Sequence, residues 1–314
     1  MISEPRPQTS TPSVHQSTLS YFQESLEALI RRGGPLPQEY AHLNREIRRL
    51  GDEVRVGNVA AQDVKNWVRS ATEKHFTGTM QAESVLKKHG YSGDFEIIDD
   101  IYRMRISPDP RLRRWDLFFH AQSAPCAVRN RKAYFHQLLR DLSEQKPGQS
   151  LRVLNIASGP ARDLREWFDA HPESRIHFDC IELDPKAIAH ARQTCGSYLE
   201  RITFHHQNAL KFVPDAKYDL IWSAGLFDYL TDRLFTRLIR SLMPFVNSGG
   251  EVVVGNFSEF NASRDYMELM GDWYLEHRSE QKLRELAEKA GALPENVDVR
   301  WEPEGVNLFV HARA

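Results

Sequence analysis

Apolar residues in the first ~145 positions recur with a helical period. Leu19, Phe22, Leu26, Leu29 and Ile30 share one stripe; Leu43, Ile47, Leu50 and Val54 form a second; Val64, Trp67, Val68 and Ala71 form a third. RRGGPLPQ breaks the chain between the first two. Ile97, Ile98, Ile101 and Tyr102 make a fourth stripe, ended by SPDP at Ser107–Pro110. Val128, Phe135, Leu138, Leu139 and Leu142 make a fifth. The polar run EQKPGQS, Glu144–Ser150, reads as a linker. Beyond it, short apolar runs alternate with helical stripes. LRVLNIA precedes Leu164, Trp167 and Phe168; IHFDCIEL precedes Ala187, Ile188 and Ala191. RITFHH, YDLIWSA and EVVVGNF continue the series, and VDVRWEP and GVNLFVHARA read as two closing strands. Strand–helix alternation predicts a mostly parallel sheet covered on both faces. The expected organisation is a disordered tail over 1–18, a helical N-terminal or cap domain over 19–145, and an α/β domain over 146–314.

Composition narrows the function. Hydrophobic residues make up 41% of 314, enough for a sizeable core. No apolar run reaches the ~18 residues that span a membrane. The N-terminal MISEPRPQTSTPSVHQS lacks the apolar region of a secretory leader. The formal net charge is −2, which gives no general attraction to nucleic acid or anionic lipid. Three cysteines, Cys126, Cys180 and Cys195, show no metal-ligand spacing and fit a reducing compartment. The expectation is a cytoplasmic protein without a metal site, without stable membrane insertion and without a nucleic-acid partner; a homodimer is open.

Chemistry concentrates at the ends of the predicted strands. In a doubly wound sheet the first strand–helix turn lies against the ligand. Here that turn is VLNIASGPARD, whose small residues Ala157, Ser158, Gly159 and Ala161 let backbone approach a ligand. It lacks the glycines of a pyrophosphate loop. Glu182 ends the next strand, placed to accept hydrogen bonds from both hydroxyls of a ribose. Asp184 is the runner-up and, before Pro185, also reads as a helix N-cap. Asn208 and Ala209 end the third strand; Asn208 suits an adenine edge or, equally, a turn.

In order and spacing these features resemble the class I S-adenosylmethionine-dependent methyltransferases. VLNIASGPARD stands at their first motif, IELDP at the acidic second, QNA at the adenine motif and YDLIWSAGLFDYL at the fourth strand. The resemblance covers about Leu151–Ala314. It implies a Rossmann-like seven-stranded, mostly parallel sheet with its last strand antiparallel, and adenosylmethionine as cofactor. By the same resemblance Asn155, Ala157, Ser158, Gly159, Asp163, Glu182, Leu183, Asn208, Ala209, Ser223 and Gly225 would bind it. Asn155 stands where the family usually has an acid, and Ala157 where it has its first glycine.

The acceptor side is less direct. Candidate bases are His120, His136, His205, His206 and His277, with structural roles favoured for His205 and His206. Two segments, 89–132 and 255–283, mix aromatic with polar and charged residues, and the first is expected to roof the active site and touch the substrate. Arg129-Asn130-Arg131-Lys132 reads as a cationic helix start, opposed by the macrodipole unless an anion is bound. GYSGDFEIID, FFHAQSAPCAVRNRK and GNFSEFNASRDYMELMGDWYLEHR are similar to a bacterial methyltransferase family associated with 3-hydroxy fatty acid methyl esters, which act as quorum-sensing signals. That resemblance spans about 75–314 and implies O-methylation of a carboxylate. Arg129 or Arg131, with Tyr91 and His120, would orient the acceptor. The alternatives are a phenol or amine acceptor with His120 or Asp228 as base, and a non-catalytic cofactor-binding or scaffold protein. The arginines could instead brace the roof through Asp94, Glu96 or Asp99.

Overall fold

A computed structural model describes the backbone from Val14 to Ala314 and side chains from Thr18 onward. The expected disordered tail therefore lies outside the described residues up to Ser13. Residues 14–18 are instead the start of a helix. Seven helices come first: α1 (Val14–Arg31), α2 (Tyr40–Arg55), α3 (Ala61–His75), α4 (Met80–Leu86), α5 (Phe95–Tyr102), α6 (Pro110–His120) and α7 (Ser123–Gln145). The alternating part follows: β1 (Leu151–Ile156), α8 (Arg162–Ala170), β2 (Ile176–Glu182), α9 (Pro185–Cys195), β3 (Ile202–His206), β4 (Tyr218–Ser223), α10 (Asp232–Leu242), β5 (Val246–Phe257), α11 (Glu280–Lys289), β6 (Val297–Trp301) and β7 (Asn307–Arg313). The five stripes fall on α1, α2, α3, α5 and α7. No described helix is long and apolar enough to cross a membrane.

The chain forms two compact units. One contains the described residues up to Leu86, Ile106–Phe118 and Asp265–Asp272; the other contains Lys87–Arg105, Phe119–Arg264 and Trp273–Ala314. The units do not divide at the Glu144–Ser150 linker. The reason is packing: α7 lies on the sheet, with the Phe135 ring stacked on Trp222 at 4.7 Å and Tyr134 on Phe309 at 3.9 Å. In the helical unit, Gln81 is buried and polar. It donates to the Met270 carbonyl and accepts from the Tyr266 hydroxyl at 2.6 Å. Asp116 accepts from the Met80 and Ser107 amides, both at 2.7 Å.

In the sheet unit the strand order is β3-β2-β1-β4-β5-β7-β6, with β7 antiparallel to both neighbours and the remaining pairs parallel. Strand alternation builds both cores. Leu154, Ile156, Ile221, Val252, Val254 and Val310 pack with Phe235 and Leu238 of α10 and Leu283 of α11. Val153, Trp222, Val253 and Phe309 point the other way, onto Phe135 and Leu139 of α7 and Leu164 of α8. Gly249 and Gly250 sit inside β5, at a register irregularity between Tyr218 and Leu220. The order reverses between β1 and β4, and ligands of open α/β sheets bind at the carboxyl ends of strands beside such a reversal.

Candidate active site

The loop from β1 to α8 is shaped for close approach. Ala157, Gly159 and Ala161 all have positive φ, at 54°, 55° and 50°. Left-handed alanine is strained by roughly 1–2 kcal/mol, and such strain gathers at ligand-binding turns. A Cβ at Gly159 would meet open space. The Gly159 amide donates to Glu182 Oε2 at 2.9 Å. Glu182 Oε1 accepts from the Leu183 and Asp184 amides at 2.8 and 3.0 Å. The first loop and the end of β2 are thus fastened to one carboxylate. Asn155 Nδ2 and Ser158 Oγ are buried with no hydrogen-bond partner. Orphaned polar atoms of this kind are costly unless something satisfies them. Leu183, beside Glu182, is 60% exposed. Together these are a carboxylate for hydroxyls, unsatisfied polar atoms, an open glycine and an apolar face. The set fits a nucleoside bearing an amino acid, such as S-adenosylmethionine. Asn155, Ser158, Gly159, Glu182 and Leu183 would hold it.

Other expected cofactor residues have local tasks. Asn208 Oδ1 accepts from the Leu210 amide at 2.9 Å, closing a turn, and Ala209 packs against the core. Asp184 Oδ1 caps α9 through the Lys186 amide at 2.8 Å. Ser223 Oγ donates to the Ile156 carbonyl at 3.0 Å and ties β4 to β1. Asp163 is buried, accepts from the Leu164 amide, and burial pushes its pKa up to about 6. Gly225 faces Arg131: a Cβ there would lie 2.7 Å from Nη1.

The four acceptor-side residues do not converge. His120 is buried, with Nε2 at 2.8 Å from the Arg105 carbonyl and Nδ1 facing Arg129. Burial pushes its pKa down to about 4, and both ring nitrogens are engaged. Arg129 Nη2 donates to the His120 carbonyl at 2.9 Å and to Cys126 Sγ at 3.1 Å. This pair braces the corner between α6 and α7. Tyr91 Oη donates to Asp184 Oδ2 at 3.0 Å, at the cofactor side. The RNRK run is not a helix start either. α7 begins at Ser123, so these cations lie beyond its first turn and the macrodipole penalty does not apply.

Arg131 is different. It is 7% exposed, and its Nε has no hydrogen-bond partner. Its guanidinium lies against Gly225 and interacts with the hydroxyl of Tyr102 and the charge of Asp228. The roof carboxylates are used elsewhere. Asp94 caps α5 through the amides of Glu96 and Ile97, Glu96 pairs with Lys88 at 2.6 Å, and Asp99 pairs with Arg162 and with His190 at 3.2 Å.

Asp228, beyond β4, is 2% exposed. Its Oδ1 accepts from the Phe257 amide at 2.6 Å. Burial pushes its pKa up to about 7, against that hydrogen bond and the charges of Arg131 and Arg278. Arg278 is fully committed: it donates to the Phe227 and Leu230 carbonyls, to Asn256 Oδ1 at 2.6 Å and to Asp232 at 3.0 Å. Sequence reasoning missed Tyr102, Tyr229, Trp273 and Arg278. Tyr102 read only as part of an apolar stripe; Tyr229 lay within YDLIWSAGLFDYL, and Trp273 and Arg278 within 255–283, without being singled out.

The remaining candidate bases also have structural partners, and His277 Nδ1 lies 3.1 Å from the Leu275 carbonyl. His205 Nε2 lies 3.0 Å from Asp179, His206 Nε2 3.0 Å from the Leu183 carbonyl, and His136 Nε2 2.8 Å from the Asp163 carbonyl.

Residues 153–250 match a family model described as a methyltransferase domain. A malonyl-[acyl-carrier protein] O-methyltransferase of Ilyobacter polytropus is 24% identical over 117 residues, 37% of this chain and 40% of that protein. The match thus spans well under half of that relative. A solved structure of a possible exported protein from Bordetella parapertussis shares the fold, with a TM-score of 0.58 and 18% identity over 81% of this chain and 95% of that one. A magnesium protoporphyrin IX methyltransferase from Synechocystis PCC 6803 aligns at a TM-score of 0.46 and 11% identity, over 60% of this chain and 85% of that one. Residues 153–250 are therefore similar to a methyltransferase domain, on a fold shared with the Bordetella parapertussis protein.

Proposed function

We propose that the protein methylates the carboxylate of a small molecule, with a 3-hydroxy fatty acid first in order. The observation that carries this reading is Arg131, a buried guanidinium with an unpartnered Nε beside the end of β4. Adenosylmethionine, when bound, supplies a methyl group on a positively charged sulfur, already an electrophile. The chain's own task is to bind, orient and desolvate the acceptor. Arg131 suits a carboxylate because its planar fork can bond both oxygens at once. No base is needed, since a carboxylate with a pKa near 4–5 is ionised at neutral pH. The malonyl-[acyl-carrier protein] relative is an O-methyltransferase by name, which agrees with an oxygen acceptor.

A second reading rests on Asp228. A buried carboxylate with a pKa near 7 is matched to general-base work. With a phenol or amine acceptor, Asp228 would take the acceptor's proton.

Incubation with methyl-labelled adenosylmethionine and a panel of 3-hydroxy fatty acids tests the first reading. Labelled methyl esters are the expected product. A turnover number flat above about pH 5.5 supports a carboxylate acceptor. A basic limb near pH 7 that disappears in Asp228→Asn, with no ester formed, would replace it by the second reading.

A further inference from the structure

The segment between α4 and α5 is tied at both sides of the cofactor cleft. Tyr91 Oη donates to Asp184 Oδ2 at 3.0 Å, beyond the end of β2. Tyr229 Oη donates to the Ser92 carbonyl at 3.1 Å, beyond the end of β4. β1 lies between those two strands. The segment therefore crosses the carboxyl end of β1, where Asn155 and Ser158 carry their unpartnered polar atoms. Its backbone is bent by three left-handed residues, Lys87, Gly90 and Gly93. Gly93 permits the closest approach: a Cβ there would meet Tyr229 Oη at 2.6 Å and Trp273 Cζ2 at 2.7 Å. Trp273 Nε1 donates to that same Tyr229 hydroxyl at 2.8 Å.

At its α5 end the segment is held by Lys88, which pairs with Glu96 at 2.6 Å. Asp94 caps α5, and Asp99 of α5 is buried and paired with Arg162 of α8 and His190 of α9. The two latches are lighter. Each is a phenol hydrogen bond from a side chain 40% or 44% exposed. Asp184 divides its oxygens between tasks, Oδ1 on the Lys186 amide of α9 and Oδ2 on Tyr91, so the second is released without uncapping the helix.

We propose that Lys87–Gly93 is an opening wall of the cofactor site, and that Tyr91 and Tyr229 are positioning residues that latch it shut. Tyr91 then serves the cofactor rather than the acceptor. The wall closes across the end of β1 while the cofactor is held and opens to release the demethylated product. This inference rests on the adenosylmethionine reading of the β1–β2 loop.

The experiment measures S-adenosylhomocysteine by calorimetry and its release by stopped flow, in the full chain and in Tyr91→Phe and Tyr229→Phe. Each variant is expected to release it about tenfold faster, as the loss of one hydrogen bond to a carboxylate or carbonyl predicts. The acceptor KM and the melting temperature should stay at the parent values. Release rates equal to the parent's, or an effect confined to the acceptor KM, would overturn the proposal while leaving the cofactor site intact. No binding of S-adenosylhomocysteine by the parent protein would overturn the cofactor reading itself, and the wall with it.

Discussion

The two halves of the cleft are built from different materials. On the cofactor side, at the ends of β1 and β2, the working groups are small residues, backbone amides and one carboxylate. They lie within a few tens of residues of one another. On the side proposed for the acceptor, at the ends of β4 and β5, the groups are large buried side chains. Arg131 and Tyr102 come from helices that precede the sheet in sequence, while Asp228 follows β4 and takes the Phe257 amide. A binding corner made of backbone needs only the right turn. A corner made of buried charges needs segments brought in from elsewhere in the chain. Two arginines on one helix make the point. Arg129 spends its donors on His120 and Cys126, whereas Arg131, two positions on, keeps its Nε unpartnered and lays Nη1 against Gly225.

The largest effect should come from Arg131→Lys. Lysine keeps the charge but not the planar fork. The loss of a two-pronged carboxylate bond predicts a fall in kcat/KM of roughly a hundredfold. Adenosylmethionine affinity, read by calorimetry, should not change. A matching loss of cofactor affinity would merge the two halves and break the comparison.

Glu182→Ala should act on the other half. Bonds from a charged acceptor are worth roughly 1.5–3 kcal/mol each, so cofactor affinity should fall at least tenfold. Calorimetry checks it, with circular dichroism to confirm the fold. Unchanged affinity would move the ribose contact to Asp184.

Gly225→Ala sharpens the acceptor side without touching a charge. Its new Cβ would lie 2.7 Å from Arg131 Nη1, and the end of a flexible side chain yields more readily than backbone. The expected result is a several-fold rise in acceptor KM, of the order of 1 kcal/mol, at an unchanged cofactor affinity. An unaltered acceptor KM would place the acceptor away from the Arg131 guanidinium.

Arg129→Lys should lower stability rather than activity per folded molecule. Its carbonyl and thiol contacts predict a loss of about 1 kcal/mol, a melting shift of roughly 2–4 °C. Normal stability with reduced turnover would reverse the roles of the two arginines.

The last effect is a slope. Asp228 has a folded pKa near 7, above the ordinary unfolded value near 4. Its folded form binds the proton more tightly, so its ionisation costs stability. That cost is absent below about pH 4, grows through the interval and is complete above about pH 7. Asp228→Asn removes it. Urea midpoints at pH 5 and pH 8 should therefore diverge less in the variant than in the parent. Equal differences would show that Asp228 does not titrate in that range.

Legibility followed the same division. The turn VLNIASGPARD, the carboxylate at Glu182 and the strand alternation could be read because each is set by neighbours in the chain. The wrong readings came where distant segments meet. His120 sat in a promising sequence and became a neutral brace, because Arg105 and Arg129 occupy both of its ring nitrogens. The boundary placed at Glu144–Ser150 followed polarity, yet α7 before it packs on the sheet through Phe135 and Tyr134. Apolar faces of helices look alike in sequence whether they cover a sheet or another helix.

By itself, then, the sequence determined the period of each helix, the alternation of each strand and the small-residue turn after β1. These depend on steric preferences and hydrophobic spacing over a handful of residues. Tertiary structure alone decided that Arg131 rather than Arg129 faces the end of β4, that Tyr91 meets Asp184, and that Asp228 is pushed up to about 7. Each of those depends on which groups are excluded from water together. That exclusion is set by segments as far apart as α5, α7 and the end of β5, and no local pattern records it.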